Sequence, residues 1–146
     1  MPTNVTYLED NWIDIDGIRF YGSPVTLPFL NWGFMRPPER IKRHWEAIPD
    51  NVDVLITHTP PYSILDYYEP KDEYLGCSIL RNEILYRVKP KISAFGHIHT
   101  GRGTCVVNDT TFINAANTEE IDKKYVLAFD PILVELKNGI VTVLSE

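Results

Sequence analysis

Three of the four histidines stand where apolar runs end. Val52-Asp53-Val54-Leu55-Ile56-Thr57 leads into His58, and Thr59-Pro60-Pro61 follows. Ile92-Ser93-Ala94-Phe95-Gly96 leads into His97, with His99 two residues on. Neutral imidazole is the commonest metal-binding side chain and suits zinc, iron, copper and nickel. Two histidines at i and i+2 on extended backbone project to one side, with Cα atoms about 6–7 Å apart. That is wide for one small ion unless the chain curls, and it fits two ions about 3.5–4 Å apart that each take one histidine. His58 could join either ion. A His-x-His pair alone reads equally well as two satisfied polar residues; the glycine before it and the second strand-end histidine favour ligation. No serine sits on a G-x-S-x-G elbow, so a serine nucleophile has no support.

The elements around these residues must bring them together. Val52–Thr57 reads as a central buried strand, Ser78 to Val88 as a helix with Ser78 as its N-cap, and Lys91 to Phe95 as the next strand. Ile79, Leu80, Glu83, Ile84 and Val88 form the helix face, and Pro90 ends it. Strand, helix and strand make a βαβ unit with a parallel pair, and ligands of open α/β sheets bind outside the carboxyl ends of the strands. His58 and His97 fall there.

The chain opens as a β-meander: a β-prone run at Asn4–Leu8, a strand at Trp12–Asp16, an Asp16-Gly17 turn and a strand from Ile18 to Gly22. Ser23 to Pro38 holds four prolines with Phe29, Trp32 and Phe34, so it is a long loop. It is either an aromatic lid packed on the core or one wall of a substrate pocket, with Asn31 or Trp32 facing the ligand. Asp66 and Tyr62 are further candidates for that wall. A helix from Pro38 to about Ala47 carries the apolar stripe Ile41, Trp45, Ile48 and leaves His44 off it, solvated or capping. The tail is β again: a hairpin about Asn108-Asp109, then strands at Tyr125–Phe129, Ile132–Leu136 and Ile140–Leu144, the last two joined by Asn138-Gly139.

A chain of 146 residues suits one domain with a real core, and 44% apolar and 23% charged residues are ordinary for a globular protein. A net charge of −6 without a basic run argues against a broad nucleic-acid or anionic-membrane surface. Two cysteines without a CxxC are read as reduced thiols, and no stretch suggests a membrane span or secretory signal, so the expected location is the cytoplasm.

Thr57-His58-Thr59-Pro60-Pro61 and Gly96-His97-Ile98-His99 resemble the last two signature blocks of the calcineurin-like metallophosphoesterases. Tyr7-Leu8-Glu9-Asp10, Tyr21-Gly22-Ser23-Pro24, Trp32-Gly33-Phe34, Asp66, Gly76-Cys77 and Phe112-Ile113-Asn114-Ala115 are similar to one subgroup, the metallophosphoesterase-domain proteins. The resemblance runs from about Asn4 to the end. It implies an α/β (α+β) chain forming the C-terminal half of a four-layer αββα sandwich, with mixed sheets and about two helices. It also implies hydrolysis of phosphomono- or phosphodiesters, cyclic nucleotides included, at two divalent metals (Mn, Fe or Zn). His58 and His97 would bind one metal and His99 the other. The family's Asp-x-His, Gly-Asp-x-x-Asp and Gly-Asn-His blocks are absent from these 146 residues, and with them the bridging carboxylate and the catalytic histidine. Three histidines could hold one zinc with water as the fourth ligand. The sheet is then expected to need a partner, either a complementing N-terminal half or a second copy as a homodimer. The alternative is a catalytically inactive scaffold or regulatory remnant of the fold.

Overall fold

A computed structural model describes residues 4–29, 32–121 and 124–146. Strand β1 (Asn11–Ile15) folds back on β2 (Ile18–Ser23), and helix α1 (Pro38–Glu46) follows the proline-rich loop. Strand β3 (Val54–Thr57) comes next, then a two-residue hairpin of β4 (Tyr67–Tyr68) and β5 (Glu73–Tyr74). Helix α2 runs over Ser78–Asn82 and continues as a π-helical turn, Glu83–Val88. Strands β6 (Ile92–Phe95), β7 (Gly103–Val107) and β8 (Thr110–Asn114) complete the main sheet. Two hairpins end the chain: β9 (Thr118–Ile121) with β10 (Lys124–Leu127), and β11 (Leu133–Lys137) with β12 (Ile140–Ser145).

The main sheet has six strands in the order β1-β2-β3-β6-β8-β7. Its four central strands are parallel, and each edge strand is antiparallel to its neighbour. One face is covered by the helices. Ile41, Trp45 and Ile48 lie one helical turn apart and are at most 1% exposed, against Tyr21, Leu55, Phe95 and Phe112 of the sheet. Pro38 at the first turn and Glu39 beside it suit the start of α1. Its other end is capped from α2: Arg87 donates to the carbonyls of Ile48 (2.7 Å) and Trp45 (2.9 Å). The π-turn ends at Lys89, whose N–H reaches Ile84 O at 3.0 Å before Pro90 forbids another turn.

The opposite face buries Val54, Ile92 and Ile113 beneath Val134, Leu136 and Val141 of the β11–β12 hairpin. Helices, sheet and hairpin thus form three layers. Ile56, in a central strand, remains 43% exposed.

Three expectations change. Asn4–Leu8 forms no strand, while β9 (Thr118–Ile121) lies ahead of the Tyr125–Phe129 run, where no strand was expected. Ser78 is the first helical residue rather than the cap; Cys77 holds the cap position without a side-chain hydrogen bond, its thiol buried in the core. Among the described residues no helix is long and apolar enough to cross a membrane.

Candidate metal centre

Strands β3 and β6 pair in register through Ile56 and Ala94, so both chains leave the sheet side by side. His58 N–H donates to Ser23 O (3.2 Å), and Gly96 N–H donates to His58 O (3.4 Å). The two imidazoles consequently meet: the ring centroids of His58 and His97 are 4.6 Å apart, tilted by 46°. The backbone at His97 is not extended. Its φ is +71°, a left-handed conformation uncommon for a residue with a Cβ, and His99 opens a short 3₁₀ turn, His99–Gly101. The chain therefore curls between the two histidines of the His-x-His pair. The His99 ring Nδ1 lies 3.2 Å from Thr118 Oγ1 of β9.

Loss of solvent, then the nearby charges of His58 and His99, push His97 down to about 4. His58, though an exposed residue, is also lowered by desolvation. Both lowered rings keep nitrogen lone pairs at neutral pH, the state a metal requires. The donor set is nevertheless incomplete. Among the described residues no three His, Cys, Asp or Glu side chains are grouped to hold an ion. The histidine pair fits as two donors of a larger shell.

A buried amide fixes the loops that carry these rings. Asn114, at the end of β8, is fully buried. Its Nδ2 donates to Leu65 O (2.9 Å) and Ile98 O (2.8 Å), and its Oδ1 accepts from Ala116 N–H (3.1 Å). Three loops, after β3, β6 and β8, are thereby pinned to one side chain. Gly101 makes the junction possible, since a Cβ there would lie 2.2 Å from Leu65 O and 3.1 Å from Asn114 Nδ2.

No family model matches the chain. It is 42% identical over 115 residues to metallophosphoesterase domain-containing protein 1 of Homo sapiens, covering 78% of this chain and 35% of that protein. It is 38% identical over 138 residues to the UPF0046 protein C25E10.12 of Caenorhabditis elegans, covering 92% of this chain and 48% of that one. Both matches fall in the C-terminal part of the relatives. This chain is a relative of the C-terminal part of metallophosphoesterase-domain proteins. It spans about a third to a half of the length of these relatives. A solved crystal structure superposes with a TM-score of 0.55 at 19% identity, over 75% of this chain and 45% of that one, which supports the fold alone.

Other residues expected in a metallophosphoesterase site are placed differently. Asp66 does not line a pocket wall: it is fully buried, and its Oδ2 accepts from Gly76 N–H (2.7 Å) and Ser63 N–H (3.0 Å). Its carboxyl is raised because burial outweighs those hydrogen bonds. Asp66 folds the loop after His58 back on itself, and Gly76 must lack a side chain because a Cβ would lie 2.5 Å from Pro61 O. Asn31 lies outside the described residues. Tyr62 is exposed and packs its ring on Tyr74 at 6.0 Å.

Two features escaped sequence reading. His44 is not solvated; its Nδ1 pairs with Asp10 Oδ2 at 2.7 Å, and Asp10 Oδ1 accepts from Ser23 Oγ at 2.6 Å. This carboxylate ties α1 to the end of β2, where the Ser23 carbonyl receives the His58 amide. The second is Phe29, whose ring stands edge-on to His97 with centroids 6.4 Å apart. The clearest concavities, lined by Arg19, Asp53 and Lys91 in one case and by Ile48, Glu83 and Arg87 in the other, touch no histidine.

Proposed function

We propose that this chain supplies the histidine half of a metal-dependent phosphoesterase site that hydrolyses phosphomono- or phosphodiesters, cyclic nucleotides among them. The observation that carries the reading is the contact of two neutral imidazoles, His58 and His97, at the carboxyl ends of adjacent parallel strands. His58 and His97 would hold one divalent ion (Mn, Fe or Zn) and His99 would face a second in a complete site. A bound ion supplies Lewis-acid charge and an acidified water. The chain's own part is to present lone pairs: desolvation keeps His97 unprotonated, and the Asn114 amide holds its loop in place.

The remaining donors come, in this reading, from a segment seated on the open part of the sheet around Ile56, either a complementing N-terminal half or a second copy in a homodimer. The exposed central-strand side chain supports this, because covering it brings new residues beside His58. Cys77 and Cys105 are both free, which supports a reducing, cytoplasmic setting. A second reading, an inactive scaffold or regulatory module, is favoured by the incomplete donor set.

Metal content of protein purified without chelator, and hydrolysis of bis(p-nitrophenyl) phosphate by the chain alone and with a supplied N-terminal half, test the proposal. Stoichiometric metal with hydrolysis by the reconstituted pair supports the phosphoesterase. Metal without hydrolysis in that pair leaves the scaffold, and no metal in either preparation overturns the histidine assignment.

A further inference from the structure

The loop after β2 holds its aromatic rings out of the core. Phe29 is 47% exposed and Trp32 61%, whereas Trp45 is fully buried. Its described residues on either side of positions 30 and 31 are tied together. Thr26 N–H donates to Phe34 O (3.1 Å), Arg36 N–H donates to Thr26 O (2.8 Å), and Phe29 N–H points at Met35 Sδ (3.1 Å). Burying a phenyl or indole ring would be favourable, so presenting two of them to water is costly to the free protein. That arrangement rules out an aromatic lid packed on the core.

The two rings form a corner. Phe29 and Trp32 are 5.8 Å apart and nearly perpendicular, at 84°. A third flat ring can lie face-on to one and edge-on to the other, the two preferred geometries of aromatic pairs. Phe29 at the same time meets His97 edge-on, so the corner lies beside the histidine pair.

We infer that Phe29 and Trp32 form an aromatic-binding subsite that takes the flat ring of an aryl or heteroaryl phosphoester whose phosphoryl group lies at His58 and His97. The assignment deepens the phosphoesterase reading and rests on it for the phosphoryl end of the ligand. The subsite makes the ring, rather than the phosphoryl group, the part of the ligand that is selected.

The test is a titration of the whole chain, read by isothermal calorimetry in the parent and every variant and, where Trp32 is kept, also by NMR at its indole N–H, which a Trp32→Phe variant assigns. Phenyl phosphate is compared with methyl phosphate, adenosine monophosphate with ribose 5-phosphate, and benzyl alcohol supplies a ring without phosphate. A stacked ring contributes about tenfold in affinity. The expected result is therefore about tenfold tighter binding of the ring-bearing partner in at least one pair, lost in Phe29→Ala and Trp32→Leu and recovered in Trp32→Tyr. Whichever pair shows the preference identifies the ring as aryl or nucleobase. Equal affinities within both pairs overturn the subsite and leave the phosphoryl site standing. Benzyl alcohol binding as tightly as phenyl phosphate, with the loss in Phe29→Ala, keeps the subsite and overturns the phosphoryl end. No binding by any probe overturns both. Both rings are exposed, so the variants keep the core, and an unchanged amide spectrum elsewhere confirms it.

Discussion

Replacing Asn114 by alanine removes the side chain that joins three loops. Leu65 O and Ala116 N–H lose the partner the amide gives them, while Ile98 O keeps the Gly101 N–H at 3.2 Å. A buried polar group left without a partner costs about 1–3 kcal/mol, so two of them give roughly 3 kcal/mol. For a domain of this size that lowers Tm by about 6–12 °C. Urea unfolding of the metal-free protein, followed by circular dichroism, reads the loss. Amide hydrogen exchange locates it: protection should fall over residues 62–66 and 96–102 and persist in α1. Asn114→Asp is a sharper probe, because it points a carboxylate oxygen at two carbonyls. The buried acid is then raised above its unfolded value. The variant is more stable in acid and loses stability as pH rises through its folded pKa. A loss below about 1 kcal/mol for Asn114→Ala, or unchanged exchange in both loops, refutes the clasp.

Gly101→Ala sets a methyl group 2.2 Å from Leu65 O, so the backbone must move; a loss above about 2 kcal/mol in the same urea assay is expected, and neutrality would show the junction to be loose. His97 sits near 4 when folded, below the ordinary histidine value, so the folded state resists protonation. Its contribution is complete above about pH 6.5 and is lost as pH falls toward 4, by no more than about 3 kcal/mol for a partly exposed ring. Melts in chelator should show that slope, and His97→Gln should flatten it. Arg87→Ala uncaps α1, which calorimetry should read as a loss of about 2 kcal/mol, with Arg87→Lys recovering less than half because a single ammonium cannot span both carbonyls.

What the sequence disclosed was what local periodicity and strand ends encode. The 3.6-residue stripe of Ile41, Trp45 and Ile48 and the βαβ unit from β3 to β6 were legible, because burial of one face dictates the pattern. The meeting of His58 and His97 followed from that unit. The curl at His97 did not, since nothing in Gly96-His97-Ile98-His99 signals a left-handed histidine. Asp66 was misplaced because a carboxylate just ahead of Tyr67-Tyr68 looks solvent-facing, and only the fold shows two backbone amides converging on it. Asn114 reaches a carbonyl 49 positions away, and Asp10 and His44 lie 34 apart; bonds of that range leave no spacing to read. The π-helical turn is equally silent: its residues satisfy an ordinary helical pattern.

The left-handed backbone at His97 sets two pressures against each other. A side chain in that conformation costs on the order of 1–2 kcal/mol, and glycine avoids nearly all of it. The folded chain would thus be more robust without this imidazole than with it. A library of this protein sorted for heat resistance alone should drift toward glycine at position 97, and its survivors should melt higher while holding metal more weakly. The same library sorted for metal retention should keep the histidine and accept the strain. The position therefore separates selection for folding from selection for chemistry, and sequencing the two sorted pools would show which pressure has acted.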